Sequence, residues 1–486
     1  MAVKNQYAQD LINSIVVFLV ALPVSLGVAV ASGVEPQLGV LSAIVGAFVV
    51  SVITGSPLQV SGPSTGLAVM VLHVVQTYGV KSLIPLAIIT GIFQIAIALF
   101  RWGHLFQATP PSLVKAMLSG IGFLIIISQL YILLGAKMVS ESYMNIINFP
   151  ALVQNNLLTN MSEATKYQLI ICIIVIVSMY LWSKIKIQAL KVLPGSLVAI
   201  IIGSAVTLAM GWEVKMIHLP HDVSAIFERI HYAESFSTIN FGFIAYAIGF
   251  AFVASVETML CVSAVDKMTG TYSKYNKTIL AQGIGNLVAG SIGAIPVVGV
   301  ISRTAPNIEV GAKTRVSAIA QGGLMVLALL FPTVLEYIPI ASLVGLLIFV
   351  GFKLLDLSHM LDYVKNYNKT SLIFATTFIL TITVDLLAGV VAGFFVASFI
   401  LLFDVLKFDL KIEEDHGNKL IKFTGKLSFL DLPVINRELQ EHGSDVPTNL
   451  EVCLREVQYL DPAIQERFRE WKEKLEEQGH TVKIKE

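Results

Sequence analysis

The residues that could do chemistry gather in two short segments that break otherwise apolar stretches. The first runs Ser56-Pro57-Leu58-Gln59-Val60-Ser61-Gly62-Pro63-Ser64-Thr65-Gly66-Leu67-Ala68-Val69-Met70. The second runs Ala294-Ile295-Pro296-Val297-Val298-Gly299-Val300-Ile301-Ser302-Arg303-Thr304-Ala305-Pro306-Asn307. Proline and β-branched residues favour extended backbone, and the glycines interrupt a regular helix. Each segment is therefore expected to be an extended stretch followed by a half-helix. A helix N-terminus presents unpaired N–H groups and a partial charge of about +0.5. Two of them aimed at one point hold an anion without any basic side chain. The plainer alternative is that these glycines and prolines only permit close packing or kinks. Paired interruptions in corresponding positions of two halves favour a central site.

Two ionisable residues sharpen that expectation. Arg303 follows Ser302 at the start of the second half-helix, flanked by apolar residues. It is either a fixed positive charge for an anion or an arginine that snorkels from a helix end. Glu257 lies in Phe252-Val253-Ala254-Ser255-Val256-Glu257-Thr258-Met259-Leu260-Cys261. A carboxylate inside an apolar span is costly and marks a functional position by default. It could coordinate a sodium ion, carry a coupled proton, or pair with Arg303. Asp385 is expected to cap a helix at the outer surface, and His73 and Gln59 to be packing or loop residues. Cys172, Cys261 and Cys453 lie far apart, so neither a disulfide framework nor a metal knuckle is indicated.

The elements that must position these residues are set by composition. Of 486 residues, 55% are hydrophobic and only 14% charged, where a soluble domain carries about a quarter charged residues. A bilayer-spanning helix needs about 20 apolar residues, and such stretches recur from Leu11 to about Phe403. Spans are expected near 11–33, 36–55, 58–76, 82–101, 112–135, 167–184 and 194–212. After a polar stretch, 213–237, a second set follows near 238–264, 278–294, 296–311, 315–334, 339–356, 370–385 and 387–407. The fold class is thus an all-α polytopic membrane protein of 14 spans. The start Met1–Asp10 is polar and the first span, Leu11–Gly33, is too long for a signal peptide, so it is expected to remain in the membrane.

The formal net charge is zero, which gives no sign of a nucleic-acid partner. Connections after even-numbered spans hold most of the basic residues, among them Arg101, Lys184, Lys267, Lys313 and Lys353. The opposite connections hold only Lys81, Lys137, Lys166, Lys215 and Arg229. The positive-inside rule then places both termini in the cytoplasm. From about Asp409 the pattern becomes that of a small α/β module, residues 409–486. Strands are expected at Lys419–Phe423, Leu450–Leu454 and Thr481–Ile484, and helices at Pro433–Glu441 and Pro462–Glu477. Its plain role is folding or dimerisation, against a regulatory one.

At these residues the chain resembles the SulP family of anion transporters, bacterial relatives of the solute-carrier sulfate, chloride and bicarbonate exchangers. The carriers are Ala21-Leu22-Pro23-Val24-Ser25-Leu26-Gly27, Gly55-Ser56-Pro57 leading into Val60-Ser61-Gly62-Pro63, and Ser255-Val256-Glu257-Thr258-Met259-Leu260. With them go Ala264-Val265-Asp266-Lys267, Ala281-Gln282-Gly283-Ile284-Gly285-Asn286 and Ser302-Arg303-Thr304. The resemblance implies a transmembrane domain, 1–408, of two inverted seven-span repeats, 11–212 and 238–407, divided into core and gate. It implies a homodimer in the bacterial inner membrane that works by an elevator-like movement.

The resemblance also places the anion near Leu67, Ala68 and Val69 on one side and Val300, Ile301, Ser302 and Arg303 on the other, with Val24, Ser25 and Val28 lining it. It assigns cation coupling to Glu257, Cys261 and Gly299. Sodium-coupled bicarbonate members carry a hydroxyl where Cys261 stands, and a thiol is a poor ligand for a hard cation. Proton coupling through Glu257 therefore stays open beside sodium. The implied function is secondary active transport of bicarbonate or sulfate, not enzymatic, with no cofactor beyond a coupling Na+ or H+. An uncoupled channel or exchanger for chloride, sulfate or dicarboxylates is the alternative. The tail resembles a shortened STAS domain with Val457-Gln458-Tyr459-Leu460-Asp461-Pro462 at its central turn. Pro462-Ala463-Ile464 replaces the usual Ser-Thr-Gly there, so no phosphorylation switch is expected at that turn.

Overall fold

The computed structural model describes residues 2–103, 110–136, 142–159, 161–185, 193–218, 232–355, 357–365, 368–405, 408–415, 418–427, 435, 449–477, 479 and 481–485. The chain divides into two compact units, Met1–Phe394 and Phe395–Glu486.

The first unit is helical. Among the described residues, seven helices are long and apolar enough to cross a bilayer. Its first half holds α1 (Ala2–Ala31) and α2 (Pro36–Val45), which runs on through a wide π-type turn at Gly46–Val50 to Ile53. A two-residue strand β1 (Ser61–Gly62) leads to α3 (Ala68–Tyr78). Then come α4 (Leu83–Leu99), α5 (Pro111–Leu133), α6 (Ser142–Val153), α7 (Glu163–Lys184) and α8 (Gly195–Met210). The second half holds α9 (Tyr232–Ser237), α10 (Phe241–Thr269), α11 (Tyr275–Ser291), β2 (Val298–Gly299) and α12 (Ile301–Glu309). It continues with α13 (Val316–Leu330), α14 (Ile340–Leu355), α15 (Leu357–Lys365), α16 (Lys369–Thr383) and α17 (Leu386–Val405), in which the boundary between the units falls.

Both broken segments are a strand followed by a short helix, as their residues predict. Three helices, α6, α9 and α15, occupy stretches read from the sequence as connections. In α6 the asparagines and an internal Pro150 dilute the apolar period that reveals a helix. Residues 219–231 of the polar stretch lie outside the described residues.

Close approach between helices fixes the frame of the site. A Cβ on Gly91 of α4 would lie 2.6 Å from the Gly283 carbonyl of α11, and one on Gly283 would lie 2.8 Å from the Gly91 carbonyl. Such small-residue contacts let two backbones touch where lipid supplies no hydrophobic drive. The buried Asp10 near the start of α1 accepts from the Lys313 N–H (2.9 Å), the Thr314 N–H (2.8 Å) and the Thr314 hydroxyl (2.5 Å). It thereby ties α1 to the loop that leaves α12.

The second unit carries a four-stranded sheet of β3 (Phe408–Asp415), β4 (Asn418–Leu427), β5 (Asn449–Leu460) and β6 (Thr481–Lys485), in that order. The first pair is antiparallel and the other two are parallel. Ile421 and Phe423 of β4 and Val452 of β5 bury against Phe468 and Trp471 of α18 (Pro462–Glu477). The period-2 alternation of the strands and the 3.6 period of α18 meet in that core. The strand β3 was not expected, because its residues adjoin the last apolar helix. The expected helix at Pro433–Glu441 lies outside the described residues except for Ile435, which is buried in the same core.

Candidate functional site

The two broken segments meet. Strands β1 and β2 pair antiparallel, Ser61 opposite Gly299 and Gly62 opposite Val298, and the Val300 N–H adds a bond to the Val60 carbonyl at 3.2 Å. From this junction α3 and α12 depart, each beginning without a side-chain cap. Ser162, Asn240 and Asn368 cap α7, α10 and α16, whereas α2, α4, α5, α8, α11 and α13 also begin without a side-chain cap. The first N–H groups of a helix have no partner inside it, so uncapped half-helices leave donors and a positive dipole end at the junction.

Arg303 lies in the first turn of α12 and is fully buried. One terminal nitrogen donates to the Pro63 carbonyl at 3.1 Å, while Nε and Nη1 have no hydrogen-bond partner. It does not snorkel. Its guanidinium fills the space that a Cβ on Gly62 would take. A buried cation without a counter-charge is costly, and here it stands beside two uncapped helix ends. The side chain of Ser302 is likewise buried at its hydroxyl without a partner.

Thr304 staples the two segments together. Its hydroxyl accepts from the Val60 N–H (3.0 Å), donates to the Val300 carbonyl (2.8 Å) and receives the Cys261 thiol (3.4 Å). Glu257 of α10 faces the other segment. The Ser64 hydroxyl donates to its Oε1 and accepts from the Gly66 N–H at 3.0 Å. A Cβ on Gly66 would sit 3.1 Å from the same carboxylate oxygen, so glycine lets the carboxylate approach the backbone that leads into α3. The second oxygen, Oε2, is buried without a partner. Glu257 and Arg303 form no ion pair with each other.

Other expected residues are placed as follows. Leu67, Ala68 and Val300 are buried at the two helix starts, Val69 is half-buried, and Ile301 is 47% exposed and turned out of the interior. Val24, Ser25 and Val28 are buried on α1, which packs on both α3 and α12. The Ser25 hydroxyl is occupied within its own helix, on the Ala21 carbonyl at 2.7 Å. The Gly299 N–H donates to Thr258 at 3.2 Å, and the Gln59 amide fills the place of a Gly299 side chain. Asp385 caps α17 through the Ala388 N–H at 2.6 Å. His73 stacks on Tyr246 with ring centroids 5.1 Å apart.

Sequence reasoning gave no role to Ser64, Thr258, Thr304, Gln282 or Asn286. The available signal was polar side chains at apolar positions, above all the amides of Gln282 and Asn286 one helical turn apart in α11.

Known proteins give this geometry a context. The model of the sulfate permease family matches residues 7–377. YvdB of Bacillus subtilis, whose name assigns it provisionally to sulfate transport, is 26% identical over 94% of this chain and 87% of its own. The bicarbonate transporter BicA of Picosynechococcus is 26% identical over 80% of this chain and 69% of its own. Among solved structures, the transmembrane domain of a cyanobacterial BicA superposes with a TM-score of 0.66 at 22% identity, covering 79% of this chain and 97% of that one. The murine anion transporter Slc26a9, solved inward-facing, gives 0.79 at 14% identity over 98% of this chain and 85% of that one. At these identities the superpositions bear on the fold alone.

Proposed function

The chain belongs to the sulfate permease family, and from that premise we propose that it is a secondary transporter of a compact oxyanion, bicarbonate first and sulfate second. The observation that carries this reading is Arg303, buried with two partnerless nitrogens at the meeting point of two uncapped half-helices. An oxyanion there would accept from the guanidinium and from backbone N–H groups, replacing the water it leaves behind. Leu67, Ala68, Val69, Val300 and Ser302 would line it, with Val24, Ser25 and Val28 across from them.

Glu257 is the coupling residue in this reading. Ser64 holds one carboxylate oxygen and leaves the other free for a proton or a sodium ion. Cys261 sits one turn on, its thiol turned to Thr304, which favours the proton. Because loaded and empty sites differ in net charge, the elements that carry them would cross the membrane interior more readily when anion and cation travel together. We assign the family's two inverted seven-span repeats to 11–212 and 238–407, with elevator-like movement of core against gate in a homodimer. Both termini then face the cytoplasm of a bacterial inner membrane, and residues 409–486 form a STAS-like domain.

Purified protein in liposomes should concentrate labelled bicarbonate, and less strongly sulfate, when a proton or sodium gradient is imposed. Glu257→Gln should abolish dependence on that gradient while anion binding remains measurable by calorimetry. Uptake of neither anion under either gradient would sink the transport reading. Gradient-driven accumulation by Glu257→Gln would sink the coupling role alone.

A further inference from the structure

A two-residue strand pair cannot hold its own register; isolated pairs far longer than this are marginal. Yet the separation of the two half-helix starts depends on that register, since α3 and α12 each follow their strand within a few residues. Groups outside the strands must fix them: Thr304 and Thr258 do so in part, and α11 adds two buried amides.

Asn286 grips the residue before β2 by both of its backbone groups. Its Oδ1 accepts from the Val297 N–H at 2.6 Å, and its Nδ2 donates to the Val297 carbonyl at 3.0 Å and to Gln94 Oε1 at 2.8 Å. Gln282 lies one turn earlier on the same face of α11. With its oxygen toward the surrounding donors, it accepts from the Ser61 hydroxyl (2.8 Å) and the Gly299 N–H (3.1 Å) and donates to the Val297 carbonyl (3.2 Å). That single amide therefore touches β1 and β2 where Ser61 and Gly299 face each other. Both amides are fully buried. Their helix is itself seated against α4 by the mutual approach of Gly91 and Gly283. Neither amide is among the groups assigned to hold the anion.

We propose that Gln282 and Asn286 are positioning residues that set the spacing of the two half-helix starts, and through it which oxyanion the site accepts. The inference rests on the transport reading above. A planar monoanion and a tetrahedral dianion need different separations between facing donors, so a loosened junction loses discrimination before it loses transport. A merely structural role would change how much folded protein there is and leave the preference between anions untouched.

The test is uptake of labelled bicarbonate and labelled sulfate by the full chain in liposomes, with KM and maximal rate measured for each. Gln282→Met keeps volume and removes every hydrogen bond. It should shift the ratio of the two KM values by tenfold or more. Gln282→Glu keeps the shape and the accepting oxygen but loses the donor to the Val297 carbonyl, and its ratio should lie nearer the parent's than that of Gln282→Met. Asn286→Asp keeps the bond from the Val297 N–H, loses the donor to its carbonyl, and should fall between them. Should Gln282→Met be absent from the membrane, Asn286→Asp decides alone, and a parental ratio there overturns the proposal. A parental ratio in Gln282→Met, with only the maximal rate reduced, overturns it as well. Failure of the parent protein to transport either anion would strike the transport reading instead.

Discussion

At the residue scale, the guanidinium of Arg303 takes the space that a Cβ on Gly62 would fill, so the position of the charge depends on that glycine. A hydrogen bond to a charged group is worth about 1.5–3 kcal/mol. Arg303→Ala is therefore expected to raise the KM for anion uptake by roughly 10- to 100-fold, using about 1.4 kcal/mol per tenfold. Arg303→Lys should not restore it, because an ammonium lacks the planar fork that reaches both Pro63 and a second acceptor. Normal uptake kinetics in Arg303→Ala would remove Arg303 from the site, and in Arg303→Lys would show that its charge alone suffices. Gly62→Ala probes the same contact from the other side. The added methyl must push the guanidinium from its place, so KM should rise although no polar group has been lost. Measuring KM beside the amount of folded protein separates this from misfolding, which would lower only the maximal rate.

Elements explain why some of this was legible in the sequence and some was not. Pro57, Gly62 and Gly66 in one segment and Pro296 and Gly299 in the other announce broken helices through local backbone chemistry, and both breaks lie where that chemistry puts them. Arg303 and Glu257 stand out because a charge in an apolar run is conspicuous. Their partners are not conspicuous. Ser64 reaches Glu257 across 193 residues of chain, and Thr304 reaches Val60 across 244, distances over which no periodicity carries information. The same holds for Asp10, which looks like an ordinary polar residue before the first apolar helix. It receives two backbone N–H groups and a hydroxyl from the loop after α12. Asp10→Ala would remove the acceptor of three part-buried hydrogen bonds, each worth about 1 kcal/mol. A clear fall in the melting temperature of the purified protein is expected, together with slower uptake, because α1 and α12 both border the proposed anion site. An unchanged melting temperature would show that the tie between these elements is dispensable.

For the whole molecule the question is what the second unit contributes. It has a hydrophobic core of its own, with Phe423, Val452, Phe468 and Trp471 buried between sheet and helix. The groups proposed to hold anion and cation, Arg303, Glu257, Ser64 and Thr304, all belong to the first unit. Transport chemistry should therefore survive its removal. A chain ending after α17, lacking residues 409–486, is expected to keep the KM of the full chain and its preference between bicarbonate and sulfate. A core substitution provides a gentler version of the same test. Phe423→Ala opens a cavity in a small core at a cost of about 3–5 kcal/mol, enough to unfold a unit of this size. Limited proteolysis should then trim the chain back toward α17 while KM stays unchanged. A reduced maximal rate with an unchanged KM, joined by loss of a crosslinked dimer that the full chain forms, would assign the unit to assembly. A changed KM in both the truncated chain and Phe423→Ala would mean that the second unit acts on the anion site itself, and the division of labour drawn from the two cores would have to be abandoned.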